Sequence, residues 1–138
     1  MAYSNATFQA VSILLYIHFK NEEEEYDYLS NRTISEMLGI PVPTVVKIMG
    51  KLVAADMIET KEGVRGGSIL LRPISEISML DVFKAIEQGK PLFKIQHNFK
   101  IEYDGLEDII NKGTSCLLNA EREMQNALRK VKLSSLIS

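Results

Sequence analysis

Residues 39–43 read Gly-Ile-Pro-Val-Pro, and no continuous helix can cross them. Each proline lacks a backbone N–H, and its ring collides with the turn before it, so neither fits a helix interior. Pro43 does fit the first turn of a new helix, where a backbone N–H has no intrahelical partner anyway. The flanking segments are therefore two separate helices joined by a tight turn. Upstream, Thr33-Ile34-Ser35-Glu36 has the form of a capping box. It opens a short helix through Leu38, which Gly39 ends. Downstream, Val45, Ile48, Met49 and Leu52 follow the i, i+3, i+4, i+7 spacing of a buried helix face, to about Ala55. Two short helices joined by a glycine-containing turn form a helix-turn-helix pattern, which many helical proteins share.

The next segment narrows the choice. Met57–Lys61 and Ser68–Arg72 read as two short strands, and between them lies Glu62-Gly63-Val64-Arg65-Gly66-Gly67. A glycine-rich stretch of this kind suits a hairpin tip, with Arg65 projecting from it and Pro73 closing the second strand. Helix, turn, helix and a hairpin with a basic tip is the order of a winged helix domain. The predicted fold is mainly α with one small β-hairpin.

Around this centre, Thr7 to about Lys20 reads as a helix with Phe8, Val11, Leu15 and Phe19 on one face, followed by a polar connection over Glu22–Asp27. Ser78 caps a further helix whose buried face is Met79, Val82, Phe83 and Ile86, terminated by Gly89 and Pro91. Lys90–Asp104 shows no clear period. From Leu106 to about Val131, the residues Ile110, Gly113, Leu117, Ala120, Met124, Ala127 and Val131 alternate spacings of three and four, a heptad seam. One reading is a long helix packed on its own domain; the other, which we favour, is a dimerisation helix, with small Gly113 and Ala120 allowing close approach. The chain thus divides into a winged helix-turn-helix domain over 1–89, a connecting loop over 90–105, and a dimerisation helix and tail over 106–138.

The net charge of −2 does not advertise nucleic-acid binding, but its distribution does so mildly. Arg32, Lys47, Lys51, Lys61, Arg65 and Arg72 outnumber Glu36, Asp56, Glu59 and Glu62 across the helix-turn-helix and hairpin. The single Cys116 excludes an intramolecular disulfide and any two-cysteine zinc or iron–sulfur motif. The apolar run Val11–Phe19 is too short to span a bilayer, and the N-terminus lacks a basic n-region, so a cytosolic, unprocessed chain is expected, with no membrane partner. No nucleophile–base arrangement or phosphate loop is present. Gly63–Gly67 lacks the spacing of a dinucleotide fingerprint, and no enzyme activity or cofactor is read.

The sequence resembles the Rrf-two family of bacterial winged helix regulators. The matching pieces are TISEMLGIPVPTVVKIMGKLVAADMIE, GVRGGSILLRP and EISMLDVFKAIEQG, which span residues 33–89. The resemblance implies a DNA-binding transcription regulator, most simply a repressor. Departures are informative. Family members with an iron–sulfur cluster carry three cysteines before the long helix, where this chain has FKIQHNFKIEYDG. Pro41 and Pro43 stand where serine is usual, Thr44 where an aromatic often follows, and Ser68 where the wing commonly has tyrosine.

Within that frame the second helix enters the major groove, with Thr44, Lys47 and Lys51 as an outward stripe and Pro43 at its tip. Thr44 suits a base edge or phosphate, Lys47 guanine or phosphate, and Lys51 phosphate. Arg65, with Gly66 and Gly67 beside it, suits the neighbouring minor groove, and the helix start at Thr33 a phosphate. The plain alternative for each lysine is a solvated charge. A homodimer on a palindromic double-stranded operator follows, its effector unknown; a winged helix used only for protein interaction is the alternative. Cys116 reads as a small buried hydrophobe or, alternatively, a redox sensor. His18 reads as packed in the first helix, and His97 as a minor candidate for effector binding.

Overall fold

A computed structural model describes residues 4–24, 28–95, 99–100 and 102–137. His97 lies outside them. The first helix, α1 (Ala6–Glu24), buries Ala10, Val11, Ile13, Leu14 and Ile17. The expected face is thus corrected: Val11 is buried, but Phe8 is 70% exposed and Phe19 49% exposed. α1 is apolar on two sides, and the aliphatic side is the one that meets the core. The helix also runs on through Glu22–Glu24, where a polar connection was expected, because glutamate is a good helix former.

Helix α2 (Asn31–Leu38) begins earlier than its apparent capping box. Ser30 is the cap: its Oγ accepts from the Thr33 N–H at 3.1 Å and donates to Thr33 Oγ1 at 2.9 Å. Glu36, expected to reach back to the cap, instead pairs with Arg32 Nε one turn away at 3.3 Å. Gly39 ends the helix as expected, with φ 68°, the left-handed conformation glycine adopts without a Cβ penalty.

The chain then turns through 118° into α3 (Val42–Ala54). Pro41 is its N-cap and Pro43 lies in its first turn, where the missing N–H is harmless. Val45, Ile48, Met49 and Leu52 are all buried, as their spacing predicts.

Strands β1 (Ile58–Lys61) and β2 (Gly67–Leu70) pair antiparallel, with Ile58 opposite Leu70 and Lys61 opposite Gly67. Leu29 extends the ribbon on its other side: its N–H and C=O bond Ser68 at 2.9 and 2.8 Å. Past a single 3-10 turn at Ile74–Glu76 comes α4 (Met79–Glu87). Its capping box is complete: Asp81 N–H donates to Ser78 Oγ at 3.0 Å, and Ser78 N–H to Asp81 Oδ2 at 2.9 Å. Leu80, Val82, Phe83 and Ile86 are buried, and Met79 packs at the core margin.

The long helix α5 (Leu106–Arg129) buries none of its residues fully. Leu92 N–H donates to Glu121 Oε1 at 2.6 Å, tying the connecting segment to it. Beyond α5 the chain returns to the winged helix unit. Met79 N–H bonds the Val131 carbonyl at 2.8 Å, Leu133 N–H bonds Ile77 O at 2.9 Å, and Leu133 is fully buried in the core. The last turn of the chain is therefore part of the same packed core as α1, α3 and α4.

Candidate nucleic-acid interface

The four buried residues of α3 fix which of its side chains face away. At 100° per residue, Pro43, Lys47, Gly50 and Ala54 lie within about 30° of the direction opposite Val45, Ile48, Met49 and Leu52, and Val46 and Lys51 flank it by about 70° on either side. Those four are exposed, and so is Val46, to 50%. Of the expected stripe, only Lys47 stands fully in this direction. Thr44 and Lys51 are half-buried, at the margin of the packed face. Both border α1 and α4, where they line a cavity of about 440 Å³ whose rim Pro43 and Lys47 share, with Gln9, Glu87 and Lys90. The Lys51 ammonium donates to the Ile86 carbonyl at 2.9 Å. One of its three donors is thereby spent inside the molecule, which corrects the expectation of a freely outward Lys51.

Val46 and Gly50 are exposed positions outside the expected stripe. For Gly50 the signal was available, because the helical wheel places it within about 30° of the direction opposite the buried tetrad. Val46 and Lys51 flank that direction equally, and the wheel does not separate them.

On the far side of α3 lies a groove of about 540 Å³, walled by Val46, Gly50 and Val53 and by the hairpin residues Lys61, Gly63 and Gly66. Asn31, at the start of α2, closes one end. The hairpin tip carries Val64, fully in solvent, and Arg65, also exposed. Lys61 holds its ammonium 5.7 Å from the centre of the Tyr28 ring, a cation–π distance. Gly66 and Gly67 are half-buried and shape the hairpin. A Cβ on Gly66 would sit 2.1 Å from Lys61 O; one on Gly67 would sit 2.4 Å from the Leu29 backbone, at a φ of 146°. Thr33 N–H is already satisfied by Ser30.

Beside α3, Thr7 Oγ1 donates to the buried carboxylate of Glu87 at 3.2 Å, joining the start of α1 to the end of α4. Cys116 is exposed on α5, contrary to the buried reading, and is a free thiol. Of the proposed seam, Ile110, Met124 and Val131 are half-buried by their own chain, while Gly113, Leu117, Ala120 and Ala127 are exposed.

Among the described residues no single helix is long and apolar enough to cross a membrane. The profile of the Rrf2 (Rrf-two) family, described as iron-dependent transcriptional regulator, matches residues 3–138. The chain is 33% identical over 92 residues to the HTH-type transcriptional regulator YwgB of Bacillus subtilis, a stretch covering 62% of this chain and 57% of YwgB. It is 27% identical over 114 residues to the B. subtilis regulator YwnA, covering 80% of this chain and 85% of YwnA. The fold matches that of CymR, the global cysteine regulator of B. subtilis, with a TM-score of 0.71 at 12% identity over 99% of this chain and 95% of CymR. At that identity the likeness speaks for the fold alone.

The iron in the family description does not fit these residues. One thiol, exposed on α5, cannot hold a cysteine-ligated cluster. Among the described residues no group of three or more His, Cys, Asp or Glu is placed to hold a metal ion. With its helix-turn-helix, its hairpin wing and a family match from residue 3 to residue 138, the chain belongs to the Rrf2 family of winged helix transcriptional regulators.

Proposed function

We propose that the protein acts in the cytoplasm as a homodimeric repressor that binds a palindromic double-stranded DNA operator. One observation carries this reading: the outward face of α3 is bare, stands beside an arginine-tipped wing, and is left open by the chain's own C-terminal segment. In the helix-turn-helix arrangement the second helix enters the major groove and its N-terminal residues approach base edges. Pro43, Thr44 and Lys47 occupy that end of α3. Arg65 reaches the adjacent minor groove, where negative potential attracts arginine. Gly66 and Gly67 hold the wing's shape, Lys51 sets α3 against α4, and Thr33 lies in the α2 turn that faces the phosphates.

Dimerisation is supported by apolar surface without a cover. α5 leaves Ile109 65% exposed and Leu117 39% exposed, with Gly113 and Ala120 on the same side of the helix. α1 adds Phe8 and Phe19. Apolar surface repeated along two helices is the mark of a partner-binding face, and a second copy supplies the two-fold symmetry of a palindrome.

The test is footprinting of the purified protein on the DNA upstream of its own gene at several salt concentrations, with sedimentation of the free protein. The expected result is a two-fold symmetric protected site, with half-sites about 34–36 Å or a multiple apart. Binding should weaken steeply with salt, and the protein should sediment as a dimer. Absence of any salt-dependent protected site overturns the operator reading.

A further inference from the structure

The face that α3 turns outward is unusually poor in hydrogen-bonding groups. Pro43, Val46 and Gly50 have none on their side chains, and Val42 adds another exposed valine at the helix start. Lys47 is the one charged group among them. The forked side chains that read guanine or adenine through paired hydrogen bonds, such as arginine, asparagine and glutamine, are missing from all five positions. In the major groove one base presents an apolar group to such a surface, the C5-methyl of thymine. Opposite guanine O6 or cytosine N4, an exposed valine displaces water and returns no hydrogen bond, which is unfavourable.

We infer that Val46, with Pro43 beside it, is a specificity-determining residue that reads thymine methyl groups, so that the operator half-sites carry thymines under the first two turns of α3. This rests on the operator-binding reading above. Three features of the structure support it. Val46 is exposed and borders the groove between α3 and the wing, which Lys61 and Glu62 also line. Gly50, one turn further on, has open space around its missing Cβ, so nothing holds the α3 backbone away from the base edges. Neither Val46 nor Pro43 belongs to the buried core, so their exposure has no packing explanation within the chain.

The experiment uses the full chain. Duplexes are selected from a randomised pool, and each thymine of the recovered site is then replaced in turn by deoxyuridine, which removes the 5-methyl and nothing else. Loss of one buried methyl is expected to weaken binding about three- to five-fold at the thymines beneath α3. Val46→Ala should bind thymine and uracil equally at one of those positions in each half-site, and Pro43→Ala at its neighbour. If sites are recovered but uracil is tolerated throughout, the inference is overturned and operator binding stands. It is equally overturned if both variants keep the full preference for thymine. If no duplex is enriched, operator binding itself falls and the inference falls with it.

Discussion

The Lys51 ammonium lies 2.9 Å from the carbonyl oxygen of Ile86, and so links the middle of α3 to the last turn of α4. That carbonyl is among the four at a helix C-terminus without an intrahelical donor, and a cation there is favoured by the helix dipole. A residue expected to contact phosphate thus holds α3 against α4. Lys51→Ala should destabilise the protein by about 1 kcal/mol, a fall of about 4 °C in Tm. Thermal denaturation checks this. An unchanged melting temperature would show the contact to be idle.

Lys47 and Arg65 are unburdened by such a contact. Both are exposed, one on the outward face of α3 and one at the wing tip. Lys47→Ala and Arg65→Ala should each leave Tm unchanged and lower the slope of log affinity against log salt by about one unit. Lys51→Ala should lower the slope by less than either, because its charge is turned toward α4. Salt titrations of the three variants on one duplex separate a phosphate contact from a positioning one.

The wing glycines separate shape from contact. A Cβ at residue 66 or 67 would run into backbone, at Lys61 and Leu29 respectively, and backbone cannot swing aside as a side-chain end does. Gly67→Ala should therefore cost about 2 kcal/mol or more, through strain and displacement of the Leu29–Ser68 bridge. Gly50→Ala meets open space in a helix interior and should stabilise the fold by up to about 1 kcal/mol. Urea unfolding of the pair gives opposite signs if the hairpin geometry is right.

What could be read from the chain was its punctuation. Pro41, Pro43 and Gly39 marked the turn, and the spacing of Val45, Ile48, Met49 and Leu52 identified the buried side of α3; all sit where expected. Two things were hidden. The spacing of four buried positions fixes the middle of the opposite face but not its edges, where Val46 and Lys51 stand symmetrically; which of the two is covered depends on α1 and α4. The contact from Lys51 to Ile86 joins residues 35 apart in sequence, and no local spacing reports it. Elsewhere two signals competed. Ser30 and Thr33 are both good caps, and Ser30 took the role; α1 has two apolar sides, and the aliphatic one went inward.

The exposed side of α1 then bears on the dimer. In a lone chain, Phe8, Phe19, Ile109 and Leu117 keep much of their surface in water, and burying side chains of this size is worth about 1.5–3 kcal/mol each. A charge placed among them costs the folded protomer little, since α5 buries none of its own residues fully. It costs a dimer heavily, because each subunit then brings an unpaired charge into an apolar contact. Ile109→Glu should accordingly leave Tm of the dilute protein nearly unchanged and weaken dimerisation at least a hundred-fold, a loss of about 2.7 kcal/mol. Gly113→Ala is the subtler probe: its Cβ meets nothing within the chain, so any loss of dimer affinity must come from a second copy approaching α5 at that position. Sedimentation equilibrium of both variants measures the effect. If neither changes the dissociation constant, α5 is not where two copies meet.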